Sequence, residues 1–309
     1  MRYLIPASFV LASLHTLGFA QGVIRGPEQT VSAGSNPVGP ESVPIAVNGD
    51  RLSVYSDTFQ RVGGAWLPDG RLLGDTRAVD ADPGRFVTGN ARAGFTGISR
   101  LGVARVQSRT ASGWQIDELL LPSDQRTRMA FGADVAISGD TIAVLATGWR
   151  PMGQGPDDAV GAVFVYRETG GGWVEEVLLT PLTGDRFRFP LGSSFVALDG
   201  DTLTVTGGTA FPGGGSRPAV FVFERGTSGW SQVAALVLPV GSGAAGVGMQ
   251  LDVQEDASWD FARVSTNSAG LGSAIVFTGS GATWQSQTLV VVVGGGGIWV
   301  WGELLDVGV

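Results

Sequence analysis

The 309-residue chain has no cysteine and no lysine, and its only histidine is His15. Without thiols there is no disulfide, no thiolate metal site and no lipid-modified cysteine to anchor the chain. Without lysine, Schiff-base chemistry and phosphate-loop recognition are excluded. His15 falls in a leader expected to be removed, so Ser-His-Asp and Cys-His nucleophile systems and histidine zinc sites are excluded as well. No Asn-x-Ser/Thr glycosylation acceptor occurs, and no later run of about 20 uninterrupted apolar residues could form a membrane span. What survives is carboxylate, tyrosine and arginine chemistry.

The first twenty residues read as a secretory signal. Arg2 is the positive start, Leu4 to Leu17 the short apolar stretch, and Gly18-Phe19-Ala20 the small-residue cleavage site before Gln21. Export without cysteine points to a bacterial secreted or cell-envelope protein, extracellular or periplasmic, with no transmembrane anchor and monomeric. The formal charge of −8 repels phosphate backbones and argues against a nucleic-acid partner.

The 49 glycines, with Val, Thr, Phe and Trp set in short runs between turn signals, predict many brief strands and little helix. Self-comparison exposes a repeat. Ile45 to Asp50, Val135 to Asp140 and Val196 to Asp201 share one apolar pattern ending in Gly-Asp, and weaker copies lie at Ala78 to Asp82 and Leu251 to Asp256. A second alternating run follows each copy. Gly-Asp between two such runs predicts a type II′ hairpin, because glycine at the first central position accepts a positive φ. Third runs at Val103 to Val106, Ala162 to Tyr166, Ala219 to Phe223 and Ser273 to Phe277 lead to turns ending in Trp114, Trp173, Trp230 and Trp284. Those tryptophans are spaced by 59, 57 and 54 residues, and each opens a fourth run.

A four-stranded meander cannot bury both faces alone, so the pattern predicts an all-β fold: a β-propeller of about five four-stranded blades. Residues 1–20 are then signal, 21–42 a lead-in linker, 43–293 the propeller and 294–309 a tail. In that tail, Ile298 to Trp301 is a candidate closing strand. The small residues Ala46, Ala136 and Ala197 fit crowding near the axis. Trp66 lies before the turn signal Asp69-Gly70, which predicts an abbreviated first blade.

Phe131-Gly132, seven residues before Gly139, followed by a strand pair and the Gly161-Ala162-Val163-Phe164-Val165-Tyr166 strand, resembles an FG-GAP repeat. The resemblance implies an integrin-α-like propeller and covers roughly Val38 to Val293. Leu73-Gly74, Leu191-Gly192 and Val247-Gly248 occupy the corresponding place with the phenylalanine replaced. Integrin-like blades often carry an Asp-x-Asp-x-Asp-Gly calcium loop. The nearest match is Asp80-Ala81-Asp82-Pro83-Gly84, so Asp80 and Asp82 are the calcium candidates, although the third aspartate is missing and a turn explains the segment equally. No other cofactor is implied.

Paired carboxylates that could serve a glycosidase are Asp157-Asp158, Glu175-Glu176 and Asp80 with Asp82, each also explained as a strand or loop residue. The Ser-x-Asp-x-Gly-x-x-Trp turn of sialidase-like propellers is absent: before Trp284, Phe277 and Gly279 replace its serine and aspartate. The expectation is a non-enzymatic protein. In a meander the Gly-Asp and Gly-Trp turns share one rim, and the longer loops share the other. Trp149, Arg150, Asp157, Asp158, Phe211 and Arg217 fall on the long-loop rim, a mixture of aromatic and charged groups suited to a protein or glycan ligand. The alternatives are a carboxylate-based carbohydrate-active enzyme and a passive surface scaffold or truncated propeller.

Overall fold

The structure, a computed structural model, describes residues 23–25, 30–32, 44–188, 194–210, 216–237, 265–266, 271–281, 283–294 and 297–301. The signal segment 1–20, the repeat copy Leu251 to Asp256, the dipeptides Leu191-Gly192 and Val247-Gly248, and Phe211 lie outside the described residues. Two short strands, β1 (Val23–Arg25) and β2 (Thr30–Ser32), pair antiparallel within the stretch expected as a linker.

Five four-stranded antiparallel sheets follow. Blade 1 comprises β3 (Ile45–Asn48), β4 (Arg51–Val54), β5 (Asp57–Val62) and β6 (Ala65–Arg71). Blade 2 comprises β7 (Ala78–Asp82), β8 (Arg85–Asn90), β9 (Val103–Thr110) and β10 (Gly113–Leu120). Blade 3 is built from β11 (Phe131–Ser138), β12 (Thr141–Ala146), β13 (Ala162–Thr169) and β14 (Gly172–Leu179). Blade 4 is built from β15 (Val196–Asp199), β16 (Thr202–Ala210), β17 (Ser216–Gly226) and β18 (Gly229–Val237). The fifth sheet contains β19 (Ser265–Thr266), β20 (Leu271–Ser280), β21 (Thr283–Gly294) and β22 (Gly297–Trp301). Each sheet is a meander in sequence order, and the blades stack face to face as a β-propeller.

The hairpin chemistry read from the sequence is what the backbone uses. Gly49, Gly139 and Gly200 have φ of 57°, 57° and 53°, while the aspartates after them stay at negative φ, the type II′ arrangement. Blade 2 turns instead on Pro83-Gly84, with Gly84 at φ 81°.

One expectation is corrected. Trp66 does match the other tryptophans: blade 1 turns at Gly63-Gly64, and Arg61 pairs with Trp66 as Arg109 pairs with Trp114 and Glu168 with Trp173. Two turn signals stand close together here, and Gly63-Gly64 wins. Blade 1 therefore has all four strands and is short only because Tyr55-Ser56 replaces a long loop between β4 and β5. The tail strand β22 pairs with β21, Val290 opposite Trp301, and completes the fifth sheet as its outer strand.

Apolar clusters glue successive blades. Leu72, Phe86 and Trp114 lie between blades 1 and 2, and Val106, Phe131 and Phe164 between blades 2 and 3. Leu145, Phe187 and Phe221 join blades 3 and 4, and Val222 and Phe277 join blades 4 and 5. Each fully buried phenylalanine contributes roughly 1.5–3 kcal/mol from burial. Trp114 is 7% exposed, meets Phe86 edge-on at 5.2 Å, and donates its indole N–H to Thr58 of blade 1 at 2.8 Å. The repeated tryptophans are thus packing residues.

The FG pair has a steric explanation. Phe131 is fully buried, with Phe164 and Tyr166 edge-on at 5.5 and 6.3 Å, and its N–H donates to the Leu101 carbonyl at 2.9 Å. Here the chain crosses the end of blade 2 so closely that a Cβ on Gly132 would lie 2.4 Å from the Val103 carbonyl oxygen. In blade 4 the same role belongs to Phe187: its N–H donates to the Val160 carbonyl at 2.7 Å and its ring packs on Phe221 and Phe223. In blade 2 the buried residue is Leu72, while Leu73 is 43% exposed.

Candidate functional site

The rim opposite the tight turns includes two connections, residues 121–130 between β10 and β11 and residues 147–161 between β12 and β13. They are bound together by polar side chains. Asp124 and Arg126 form an ion pair, with Arg126 Nε at 2.6 Å from Asp124 Oδ1. The Trp149 indole N–H donates to the same carboxylate at 3.2 Å, and the Arg126 guanidinium stands 5.9 Å over the Trp149 ring. The hydrogen bond from Arg126 is the main cause that holds the Asp124 carboxyl below its usual range, against the opposing effect of burial.

Arg150 was expected as an exposed contact residue and is instead buried, at 9% exposure. Its guanidinium donates to the carbonyls of Gln154 at 3.2 Å, Thr127 at 3.3 Å and Gly148 at 3.4 Å. Arginine suits this role because its planar fork serves several acceptors at once. Arg126 donates to the Arg150 carbonyl at 2.8 Å, and the Trp149 carbonyl accepts from Val160 and Gly161. Residues 151–158 are thereby held out from the rim on a pinned base, and Met152 is 89% exposed. Asp157 and Asp158 sit in a single 3-10 turn, Pro156–Asp158, and are exposed. Asp158 Oδ2 accepts from the Gly155 N–H at 3.0 Å.

The six rim candidates therefore divide. Trp149 and Arg150 form the base of the loop, and Asp157 and Asp158 its exposed far side. Arg217 lies on β17 opposite Thr209, half-buried, because the strands β16 and β17 extend further than the alternation suggested. Asp124 and Arg126 were missed as partners of Trp149. The only sequence signal was that opposite charges two residues apart lie in a rim connection.

Carboxylates proposed for catalysis or calcium mostly have structural partners. Asp80 Oδ2 accepts from the Ile137 N–H at 2.8 Å, and Asp82 Oδ2 from the Gly139 N–H at 3.0 Å. Glu175 accepts from the Ser123 N–H and hydroxyl at 2.8 and 2.6 Å, and Glu176 stands 3.8 Å from Arg225. Among the described residues no three acidic or histidine side chains converge as a metal site would require. Tyr166, a chemically available phenol in the sequence, is buried and donates to the Leu121 carbonyl at 2.9 Å. Burial, with Glu175 nearby, pushes its pKa upward.

Asp80 and Asp82 belong to a wider pattern. Side chains on the innermost strands of blades 1, 2 and 3 reach the edge of the next blade's innermost strand. Asn48 donates to the Ala81 carbonyl at 3.1 Å, Asp134 accepts from Val196 at 2.9 Å, and Ser138 accepts from Gly200 at 3.0 Å. These bonds satisfy edge amides that would otherwise be open for pairing.

The FG-GAP repeat family matches residues 114–166. That span runs from the outer strand of blade 2 through the third strand of blade 3, so the sequence unit straddles two blades and contains Phe131-Gly132. No curated protein matches the chain. Among solved structures it is similar to YjhT, at 11% identity and TM-score 0.43, covering 85% of this chain and 97% of that one. It is also similar to the family-43 endo-arabinanase from Bacillus licheniformis, at 11% identity and TM-score 0.32, covering 84% and 95%. A Saccharomyces cerevisiae structure of Dbp5 bound to Nup159, Gle1, IP6 and ADP is similar at 7% identity and TM-score 0.36. That match covers 80% of this chain, which spans 58% of the length of the yeast one. Among the described residues no helix is long and apolar enough to cross a membrane.

Proposed function

We propose that this chain, a β-propeller carrying an FG-GAP repeat, is an exported, non-enzymatic binding protein that contacts a protein or glycan partner through its long-loop rim. The observation that carries the reading is the pinned loop of blade 3. Arg150 is buried to tie three carbonyls, and the segment it supports carries a methionine almost wholly in water. A loop whose base is already ordered meets a partner with less entropy left to lose, which suits it to recognition.

The missing histidine, lysine and cysteine support a binding role over catalysis. So does the engagement of Asp80, Asp82, Glu175 and Glu176 by backbone, serine and arginine partners. The test is a glycan array and an envelope-protein panel probed with residues 21–309, as the native chain and as the double variant Met152→Glu, Asp157→Arg. Binding by the native chain that the double variant loses at least tenfold, with an unchanged melting curve, is the expected result. If both bind equally, the loop is not the contact; if neither binds anything, the binding reading fails.

A further inference from the structure

The chain carries a formal charge of −8, yet positive charge collects on one rim. The long-loop connections 72–77, 91–102, 121–130, 147–161 and 180–195 hold eight arginines against five aspartates, and no glutamate. The tight turns of blades 1, 3 and 4 hold Asp50, Asp140 and Asp201 and no arginine. Elsewhere arginines are matched with acids: Arg51 and Arg109 share Asp69, Arg85 meets Glu168 and Arg167 meets Asp140. Arg100, Arg128, Arg186 and Arg188 differ. All four are exposed, and among the described residues their guanidinium groups make no hydrogen bond or ion pair.

The segments that carry these arginines are laced into one ladder along the rim. The Arg128 N–H donates to the Ser99 carbonyl at 3.0 Å, Gly148 to Met129 at 2.9 Å, Val160 to Trp149 at 2.9 Å and Phe187 to Val160 at 2.7 Å. Arg100 and Arg128 thus stand on neighbouring rungs, and Arg186 and Arg188 flank the buried Phe187 on the last. The backbone makes these junctions, and the side chains are left in water. At φ of 52° and 59°, Arg100 and Arg128 occupy a conformation that glycine or asparagine takes more readily, so the fold does not select arginine there.

We propose that this arginine strip docks a partner protein through an acidic patch, with Met152 and Leu182 meeting apolar side chains beside it. The proposal rests on the reading of the long-loop rim as the binding face and adds the chemistry of what that face takes. Guanidinium forks pair bidentately with carboxylates, and a base already ordered leaves less freedom to lose on binding. Met152 and Leu182 are 89% and 61% exposed, and these connections combine methionine and arginine without lysine or glutamate, the balance that protein interfaces favour. A glycan is served less well. Among the described residues of these connections no aromatic ring lies open for stacking, since Arg126 stands over Trp149 and Phe95 packs against the core of blades 2 and 3. A long polyanion would also meet the exposed Asp157 and Asp158 and the net negative charge of the chain.

The experiment measures binding of residues 21–309 to a synthetic peptide repeating Glu-Glu-Leu, with polygalacturonate and phosphatidylglycerol vesicles as parallel probes at equal negative charge. The native chain should bind the peptide, more weakly as salt rises, and more tightly than it binds either other probe. Arg100→Glu with Arg128→Glu, and separately Arg186→Glu with Arg188→Glu, should each lose tenfold or more with an unchanged melting curve. Arg61→Glu, on an exposed arginine beside the Gly63-Gly64 turn, should bind as the native chain does. Where one double variant loses its melting transition, the other decides. No binding of the peptide, a loss short of tenfold in both double variants, or polygalacturonate or vesicles bound as tightly as the peptide overturns the proposal. A partner from the glycan and envelope-protein panels that Met152→Glu, Asp157→Arg loses and both arginine variants keep would leave the rim reading standing and overturn this one alone.

Discussion

Gly102 and Gly132 sit where the chain passes from blade 2 into blade 3. Gly102 has φ 87°, and a Cβ there would lie 1.9 Å from the Phe131 carbonyl oxygen. Gly102→Ala must move backbone rather than a flexible side chain, so we expect a loss of about 3 kcal/mol or more in urea unfolding. Phe131→Ala should cost roughly 3–5 kcal/mol, and Leu73→Ala under about 0.5 kcal/mol, because one ring is fully buried and the other side chain is in water. The FG dipeptide was legible because both of its residues are needed at one crossing. Phe187 was not: Arg188 follows it, and nothing local reveals that its ring fills the equivalent gap. For Arg150, Arg150→Ala leaves three carbonyls without their donor, so limited proteolysis should cut within 147–161 at least several-fold faster than in the native chain, with global melting changed little.

At the level of strands and hairpins, a cation stacks on the tryptophan of the next blade. Arg51 stands over Trp114 and Arg85 over Trp173, each 5.6 Å from the ring centre. In blade 3 the position corresponding to Arg51 and Arg85 is Thr141, and the cation comes from the other side. Arg225 stands 4.6 Å over Trp230 and donates to the Thr141 hydroxyl at 2.6 Å. The staple is preserved while its source is exchanged. Arg85→Ala should cost about 1 kcal/mol, and Arg225→Thr more, because the half-buried Arg225 also meets Glu176 and Asp201. Thr141→Arg should recover part of the Arg225→Thr loss in a double-mutant cycle. An additive cycle would mean that the two cations do not share a role. Element identity was readable from alternation and Gly-Asp turns, since these act within a few residues. Blade 1 was misread at Trp66 because two glycine turn signals compete within one short stretch. The stacking partners were unreadable, since they depend on how one blade meets the next.

The whole molecule joins two unlike rims to an inner edge of shared hydrogen bonds. Tight turns and tryptophan staples occupy one rim, and the loops of blades 2 and 3 rise from the other. Length and repeat period indicated a propeller, and the missing cysteine and lysine narrowed the chemistry open to it. Which loop residues support and which face solvent was hidden, because Arg150 and Asp157 look equally polar in sequence and only packing separates them. The rim account is tested most directly by an amide-exchange footprint of the mature chain with the first ligand found on the glycan and envelope-protein panels. Protection confined to residues 147–161 and the adjoining 121–130 is the expected result. Protection confined to the tight turns at Gly139-Asp140 and Gly200-Asp201 would contradict it.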